Sequence, residues 1–394
     1  MASGDVHLRR IHDVPGRITK AGLVSSNATM TKPPAVAVGL AGQGKTRGTV
    51  ALTLRELCTN QSIALLKGDQ KNLLTEFLFH NLERRYEELR ARSSGGGRGG
   101  LSKGILEQVP MELPSLPVQS KIAEILDTLD AAIRGTEAVV AKLKAMKQGL
   151  LHDLLTRGID ANGDLRTPHP EAPHLYKETP LGWLPKEWDV SEMQDLLASV
   201  DPAMRSGPFG SALLKEELVS EGIPFLGIDN VFVERFERNY KRFVTGGKFL
   251  QLRRYAVRPD DLMITIMGTV GRCCLVPEDV GDALSSKHTW TISLDQSIYS
   301  PYLAMLQVNY SDWVLRHFSK DQQGGTMSAI RSETIRSTML PVPPRVEQDG
   351  IEAILTELST RLHEEQTMLD KLRLQKSGLM DDLLTGRTPV TALL

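Results

Sequence analysis

At 394 residues the chain is too long for one ordinary domain; ~150 residues per domain predicts two or three. Hydrophobic residues make up 41% and charged residues 24%, which supports sizeable cores and excludes a chain that is disordered throughout. A net charge of −1 argues against wholesale coating of nucleic acid or membrane and leaves room only for a local basic face.

Three cysteines (Cys58, Cys273, Cys274) cannot build a disulfide framework, and no Cys-x-x-Cys pair offers a zinc site. No apolar run approaches the ~18 residues of a membrane span. The opening MASGDVHLRRIHD lacks the apolar centre of a signal peptide, so a cytoplasmic protein with no membrane partner is expected.

In chain order, the first patterned stretch is AVAVGLAGQGKTRGTVAL from Ala35, then SIALL from Ser62, both read as strands, then NLLTEFLFHNLERRYEEL from Asn72 as a helix. Within it, GLAGQGKT (Gly39 to Thr46) satisfies the phosphate-loop pattern G-x-x-x-x-G-K-[ST]. A phosphate loop must open a helix whose N–H groups cradle the phosphates. Here RGTVALTL follows, and Gly48, Thr49 and Val50 favour a strand. The expectation is a tight strand connection; a nucleotide-binding protein with a coiled-coil arm is the alternative.

A long helix is predicted at roughly 118–156, with Ile122, Leu126, Leu129, Ile133, Val140, Leu143, Leu150 and Leu154 recurring at spacings of three, four or their sums. Between 159 and 341, Pro and Gly punctuate short apolar runs: IPFLGIDNVFV from Ile223, YAVRP from Tyr255, DLMITIMG from Asp261 and TWTISL from Thr289. These predict an irregular, mostly antiparallel sheet with a few helices, such as YLAMLQVNYSDWVLRHF from Tyr302. A second long helix, roughly 346–385, carries Ile351, Leu355, Leu358, Leu362, Leu369, Leu372, Leu379 and Leu383.

The two halves repeat. KLKAMKQGLLHDLLT from Lys142 and KLRLQKSGLMDDLLT from Lys371 are identical at nine of fifteen positions, 229 residues apart. The same offset aligns Gln119 with Gln348, Ile122 with Ile351, Pro114 with Pro343, and Gly95-Gly96 with Gly324-Gly325. Two slots in the helical seams are polar in both copies: Thr136 and Glu365, then Lys147 and Lys376. A period this long means two copies of a domain-plus-helix unit, not a solenoid. The fold class expected is α+β: two globular domains of short strands and helices, separated by two long helices that form an antiparallel coiled coil, with an internal pseudo-twofold repeat. Segment bounds are 1–112, 113–158, 159–341 and 342–394.

Basic residues cluster between Arg235 and Arg258, where Glu237 is the only acid. Arg and Lys in loops supply phosphate contacts that set affinity and register without reading bases. The candidates for such contacts are Lys45, Arg47, Arg98, Lys241, Arg242, Lys248, Arg253, Arg254, Arg258, Arg272, Lys287 and Arg331. A solvated charged face, on a coiled-coil scaffold that never touches DNA, is the competing reading. Catalytic patterns are missing: no H-E-x-x-H, no G-x-S-x-G, and no Asn/Asp-Pro-Pro-aromatic tetrapeptide of the DNA-adenine methyltransferases.

LGWLPKEWDV at Leu181, SGPFGSALLKEELVSEGIPFLGIDNV at Ser206, RYAVRPDDLMITIMGTVGR at Arg254, GGTMSAIRSETIRSTMLPVPPRVEQ at Gly324 and the two L-x-D-L-L-T helix ends carry a family resemblance. The chain resembles the specificity subunit of type I restriction–modification systems from about residue 35 onward. The resemblance implies two target-recognition domains, each reading half of a bipartite double-stranded DNA sequence, with the helices setting the gap. It implies docking of two modification (methyltransferase) subunits and of restriction (motor/nuclease) subunits. S-adenosylmethionine, ATP and Mg are then expected on those partners, with no cofactor, metal or catalysis in this chain. A recognition domain of the family opens with a segment like LGWLPKEWDV, found here only at Leu181–Val190, so a first domain shortened at its start is expected.

Overall fold

The structure, a computed structural model, describes residues 1–42, 44–93, 100–322 and 329–390. A short 3-10 turn leads into β1 (Arg10–Ile11) and α1 (Lys20–Val24), whose Thr19 cap accepts the Gly22 N–H. Then come β2 (Ala35–Gly39), β3 (Val50–Thr53), β4 (Ile63–Leu66), α2 (Thr75–Arg84), α3 (Tyr86–Arg92), α4 (Lys103–Glu107) and the long α5 (Leu116–Thr156). The second stretch begins with β5 (Tyr176–Thr179), β6 (Gly182–Pro185), β7 (Asp189–Glu192), β8 (Met204–Arg205), β9 (Ile223–Leu226), β10 (Val231–Phe232) and β11 (Arg235–Phe236). It continues through β12 (Phe243–Val244), α6 (Gly246–Gln251), β13 (Leu262–Thr265), β14 (Cys273–Leu275), β15 (Leu284–Ser285) and β16 (Thr289–Ile292). It closes with α7 (Pro301–Tyr310), α8 (Asp312–Gln322), α9 (Ser332–Arg336), β17 (Met339–Val342) and the long α10 (Arg345–Leu384).

Two compact units result, Met1–Ala141 with His363–Leu394, and Lys142–Leu362, each drawing on one end of each long helix. In the first, the sheet order is β1-β3-β2-β4, and β2 is buried along its whole length, which is why it reads as an unbroken apolar run. Phe79 and Leu82 of α2 cover one face against Val36, Val38 and Leu52; Val6, Ile11 and Leu57 cover the other. Ile122 and Leu126 near the start of α5 pack against Met380, Leu383 and Leu384 near the end of α10. In the second unit the sheet order β14-β13-β16-β8 supports a core of Leu262, Ile264, Ile292, Leu303 and Phe318. There Leu151, Leu154 and Leu155 of α5 join Ile351 and Leu355 of α10.

The GLAGQGKT segment joins β2 to β3 as an antiparallel hairpin, Ala35 opposite Thr53 and Val38 opposite Val50. The next described element after the motif is a strand and not a helix, so the phosphate-loop reading of GLAGQGKT loses its structural basis. Its Gly48 has φ +83° and Gly271, in the connection from β13 to β14, has φ +86°, a backbone that glycine adopts without a Cβ clash.

Four expected strands or helices are interrupted, among them the helix expected from Asn72, which divides into α2 and α3 at Arg85, where ψ is 17°. YAVRP is not a strand: Arg253–Tyr255 forms a 3-10 turn and Ala256 makes only an isolated bridge to Leu284. IPFLGIDNVFV divides into β9 and β10, because Asn230 Oδ1 accepts the Gly227 N–H at 3.0 Å and closes a turn. The Tyr302 helix splits into α7 and α8 at Ser311, whose ψ of 124° is extended.

Corresponding elements lie at steady spacings. Thr75–Arg84 and Pro301–Tyr310 differ by 226 positions at both ends; Leu116 and Arg345, where the long helices begin, differ by 229. Gln119 and Gln348 are both fully buried and make the same three bonds. Gln119 accepts from Leu74 N–H (2.9 Å) and donates to the Asn72 (2.7 Å) and Pro114 (2.8 Å) carbonyls. Gln348 accepts from Ser300 N–H (2.8 Å) and donates to the Ile298 (2.9 Å) and Pro343 (2.8 Å) carbonyls. A buried amide must satisfy its donors and acceptor, so each glutamine fixes where its head helix starts on a long helix.

Among the apolar seam positions, Ile122, Leu126, Ile133, Val140, Leu143, Leu154, Ile351, Leu355, Leu358, Leu369 and Leu383 are buried. Leu129, Leu150, Leu362, Leu372 and Leu379 are half-buried. The lysine seam slot is ion-paired in both copies: Lys147 Nζ reaches Glu234 at 2.6 Å, and Lys376 Nζ reaches Glu83 at 2.6 Å and Asp130 at 2.8 Å. Among the described residues no helix is long and apolar enough to cross a membrane.

Candidate nucleic-acid interface

Short strands leave several of the second unit's basic residues on the loops between them, Lys241, Arg242, Arg258, Arg272 and Lys287 among them. The Gly227–Asn230 turn after β9, the Lys241–Arg242 approach to β12, the connection from β13 to β14, and the Ser286–His288 loop before β16 meet in one place. Arg242 pairs with Asp229, and Lys241 Nζ lies 3.9 Å from the same carboxylate. The Ile266 N–H donates to the His288 carbonyl at 3.1 Å, holding two of these loops together. Burial, and then the charges of Lys287 and Arg242, push the His288 pKa down, an electrostatic mark of a locally positive surface. Lys241 and Lys287 are exposed and Arg242 is half-buried.

A second basic group follows β12. Thr245 caps α6 by accepting the Lys248 N–H, and Lys248 Nζ pairs with Glu217 at 2.7 Å. Beyond α6, Arg253 and Arg254 are exposed and make no ion pair among the described residues; the Arg254 guanidinium lies 5.5 Å from the Tyr255 ring centre. Arg272 lies 5.5 Å from the Phe232 ring and Arg235 lies 4.6 Å from it. Arg254 and Arg272 keep their capacity for phosphate because an aromatic face, unlike a carboxylate, does not neutralise them, whereas Arg235 also pairs with Glu237 at 2.9 Å.

Arg258 departs from the expected phosphate set. Its guanidinium turns inward, donating to the Pro202 carbonyl at 3.3 Å and Ser293 Oγ at 3.2 Å. There it adjoins a pair the basic-cluster reading missed: Arg205 and Asp261, side chains 1% exposed each, in direct ionic contact. Arg205 also donates to the Ala256 carbonyl (2.6 Å) and Ser293 Oγ (3.0 Å). Burial lowers the Arg205 pKa to about 10 and raises that of Asp261, so desolvation outweighs mutual attraction for both. A signal for the pair does exist in the sequence: an Arg before SGPFGS and an Asp opening an apolar strand are charges in segments otherwise destined for the core.

In the first unit Lys45 is exposed, and its carbonyl accepts the Tyr86 hydroxyl at 3.1 Å. The Arg47 carbonyl accepts from Arg90 at 3.2 Å. Arg331 is exposed at the N-cap of α9. Arg98 lies outside the described residues, as do Gly95-Gly96 and Gly324-Gly325.

The first unit also holds a buried charge cluster. Arg10 pairs with Asp127, Arg9 with Glu83, and His80 Nε2 with Asp127 at 2.6 Å. His80, Glu83 and Asp130 have the spacing of metal ligands, but Lys376 Nζ already bridges two of them, so the chemistry is that of an ion network. Burial favours neutral Glu83, yet His80, Lys376 and Arg9 hold its pKa down to about 2 from an ordinary 4.5. A carboxylate with a lowered folded pKa contributes stability above pH 4.5 and loses it as pH falls toward 2. Urea midpoints are therefore expected to drop across that window, and Glu83→Gln should start lower at pH 7 and decline less; parallel curves for both proteins would refute this.

A family model described as the type I restriction modification DNA specificity domain matches residues 4–145. The type I restriction enzyme MjaVIII specificity subunit of Methanocaldococcus jannaschii is 22% identical over 339 residues, covering 84% of this chain and 75% of the relative. The type I restriction enzyme EcoBI specificity subunit of Escherichia coli is 24% identical over 363 residues, covering 85% and 73%. The crystal structure of a type I restriction-modification S subunit from M. genitalium superposes with a TM-score of 0.58 at 16% identity, over 90% of this chain and 83% of that one. At that identity the superposition speaks for the fold.

Proposed function

The chain belongs to the type I restriction–modification specificity subunits, and from that premise we propose that it reads a bipartite DNA target and scaffolds the subunits that act on it. One recognition domain (1–112) and a second (159–341) would each read one half of the target, and the helical segments 113–158 and 342–394, paired as an antiparallel coiled coil, would set the unread gap. Two modification subunits, with S-adenosylmethionine, would supply methylation; restriction subunits, with ATP and Mg, would supply translocation and cleavage. This chain would contribute specificity without chemistry.

One observation supports the two-part reading: a head helix and a long helix recur at spacings of 226 and 229 positions, with the matched bonds of Gln119 and Gln348. Two copies of one reading unit suit a target with two separated half-sites. Co-expression with the cognate modification subunit, followed by genome-wide mapping of methylated adenines, should return a gapped motif of two parts. A single contiguous motif would overturn the two-part reading.

Phosphate contact by the second unit is tested separately. Arg253→Ala/Arg254→Ala should weaken DNA binding across sequences and reduce the slope of log K against log salt by roughly two units, one per lost contact. Both side chains are exposed, so the melting temperature should not move. An unchanged slope would favour a scaffold that does not touch DNA through this face.

A further inference from the structure

A cavity of about 620 Å³ in the second unit is lined by the end of α5 and the start of α8. One of about 500 Å³ in the first unit is lined by α10 and the end of α2. Their linings correspond. Lys144, Lys147 and Leu151 of the second cavity stand 229 positions before Arg373, Lys376 and Met380 of the first. Leu362 and Ile133, contributed by the other long helix, are also 229 apart, and Tyr310 and Arg84 of the head helices are 226 apart.

The chemistry is layered alike in both. Apolar side chains, Leu151 with Leu362 or Met380 with Ile133, offer a seat for one apolar group. The inner lysine is already neutralised by its own head: Lys147 by Glu234 and Lys376 by Glu83, each at 2.6 Å. The outer cations differ. Lys144 and Arg316 are exposed and have no carboxylate partner among the described residues, whereas Arg373 pairs with Glu137 and Arg84 with Asp381, each at 2.8 Å. Trp313 lines the second cavity too, and its buried Nε1–H has no acceptor there, which an incoming carboxylate would supply.

We propose that the two cavities receive the same acidic, apolar-tipped segment of one partner protein bound in two copies, more tightly in the second unit than in the first. The inequality follows from the rims: a partner carboxylate meets unpaired cations at Lys144 and Arg316 but must displace Glu137 and Asp381 in the first unit. This rests on the scaffolding reading above, under which the partner is the modification subunit, and it assigns that subunit's contact to named residues.

The test titrates purified chain with purified cognate modification subunit and counts bound copies by mass photometry. Wild type should bind a first copy tightly and a second more weakly. Lys144→Glu/Arg316→Glu should weaken the tight step at least tenfold and leave the weak one; Arg373→Glu should weaken the second step alone. Melting temperatures check folding, and Lys144→Gln/Arg316→Gln and Arg373→Gln give the same ordering with smaller losses should a charge reversal unfold its unit. Two copies bound by every folded variant with wild-type affinity would overturn the cavities and leave the scaffolding reading intact. A wild type that binds no modification subunit would overturn both.

Discussion

Asp261→Ala is expected to lower the stability of the second unit by about 3–5 kcal/mol, the cost of leaving one member of a buried ion pair uncompensated. The Asp261 carboxylate contacts Arg205 and accepts the Arg258 N–H at 2.6 Å and the Ser293 hydroxyl at 2.5 Å. Without it the Arg205 guanidinium keeps only carbonyls and one hydroxyl in a site from which water is excluded. Because desolvation outweighs attraction for both partners, the pair itself is a weak contributor. The double change Arg205→Met/Asp261→Leu should therefore recover most of the loss in urea unfolding. A double variant as unstable as Asp261→Ala would show that the charges themselves, not their imbalance, hold the site.

Gly158→Ala should cost about 3 kcal/mol or more, from two sources. Gly158 ends α5 with φ +61°, a left-handed conformation that costs a non-glycine residue about 1 kcal/mol. An added Cβ would also stand 2.5 Å from Trp188 Cζ2 and closer still to Glu347 Oε1, and overpacking of this kind costs about 1–3 kcal/mol. Glu347 cannot yield freely: it accepts from Ile159 N–H (2.9 Å), Trp188 Nε1–H (3.0 Å) and, through both oxygens, from Arg166 (2.8 and 2.9 Å). Gly163→Ala isolates the first source, since φ there is +85° and nothing lies within 4 Å of an added methyl. Equal losses for the two variants would mean that the Glu347 site repacks without strain.

These two sites show where sequence reasoning stopped. The seam residues from Ile122 to Leu383 were legible because burial on a helix imposes a period, and the matched period exposed the repeat. Gln119 and Gln348 were visible as an aligned pair, and Lys147 and Lys376 as polar breaks in an apolar stripe, but their partners Leu74, Ser300, Glu234 and Glu83 were not. Arg254 and Arg258 carry the same charge four residues apart, yet one is exposed and the other turns to Ser293. The charge alone does not separate them, because the Ser293 hydroxyl that receives Arg258 lies 35 positions away along the chain.

Period, spacing and duplication, all properties of neighbours along the chain, are determined by the 394 residues read in order: two long helices, two heads of short strands, and a connection at Lys45 that could not open a helix. Which charges face solvent and which neutralise one another was decided only by the tertiary structure. A guanidinium's role depends on whether a carboxylate or water stands within a few ångströms of it, and the same holds for an ammonium: the carboxylate that captures Lys376 lies 293 positions away at Glu83.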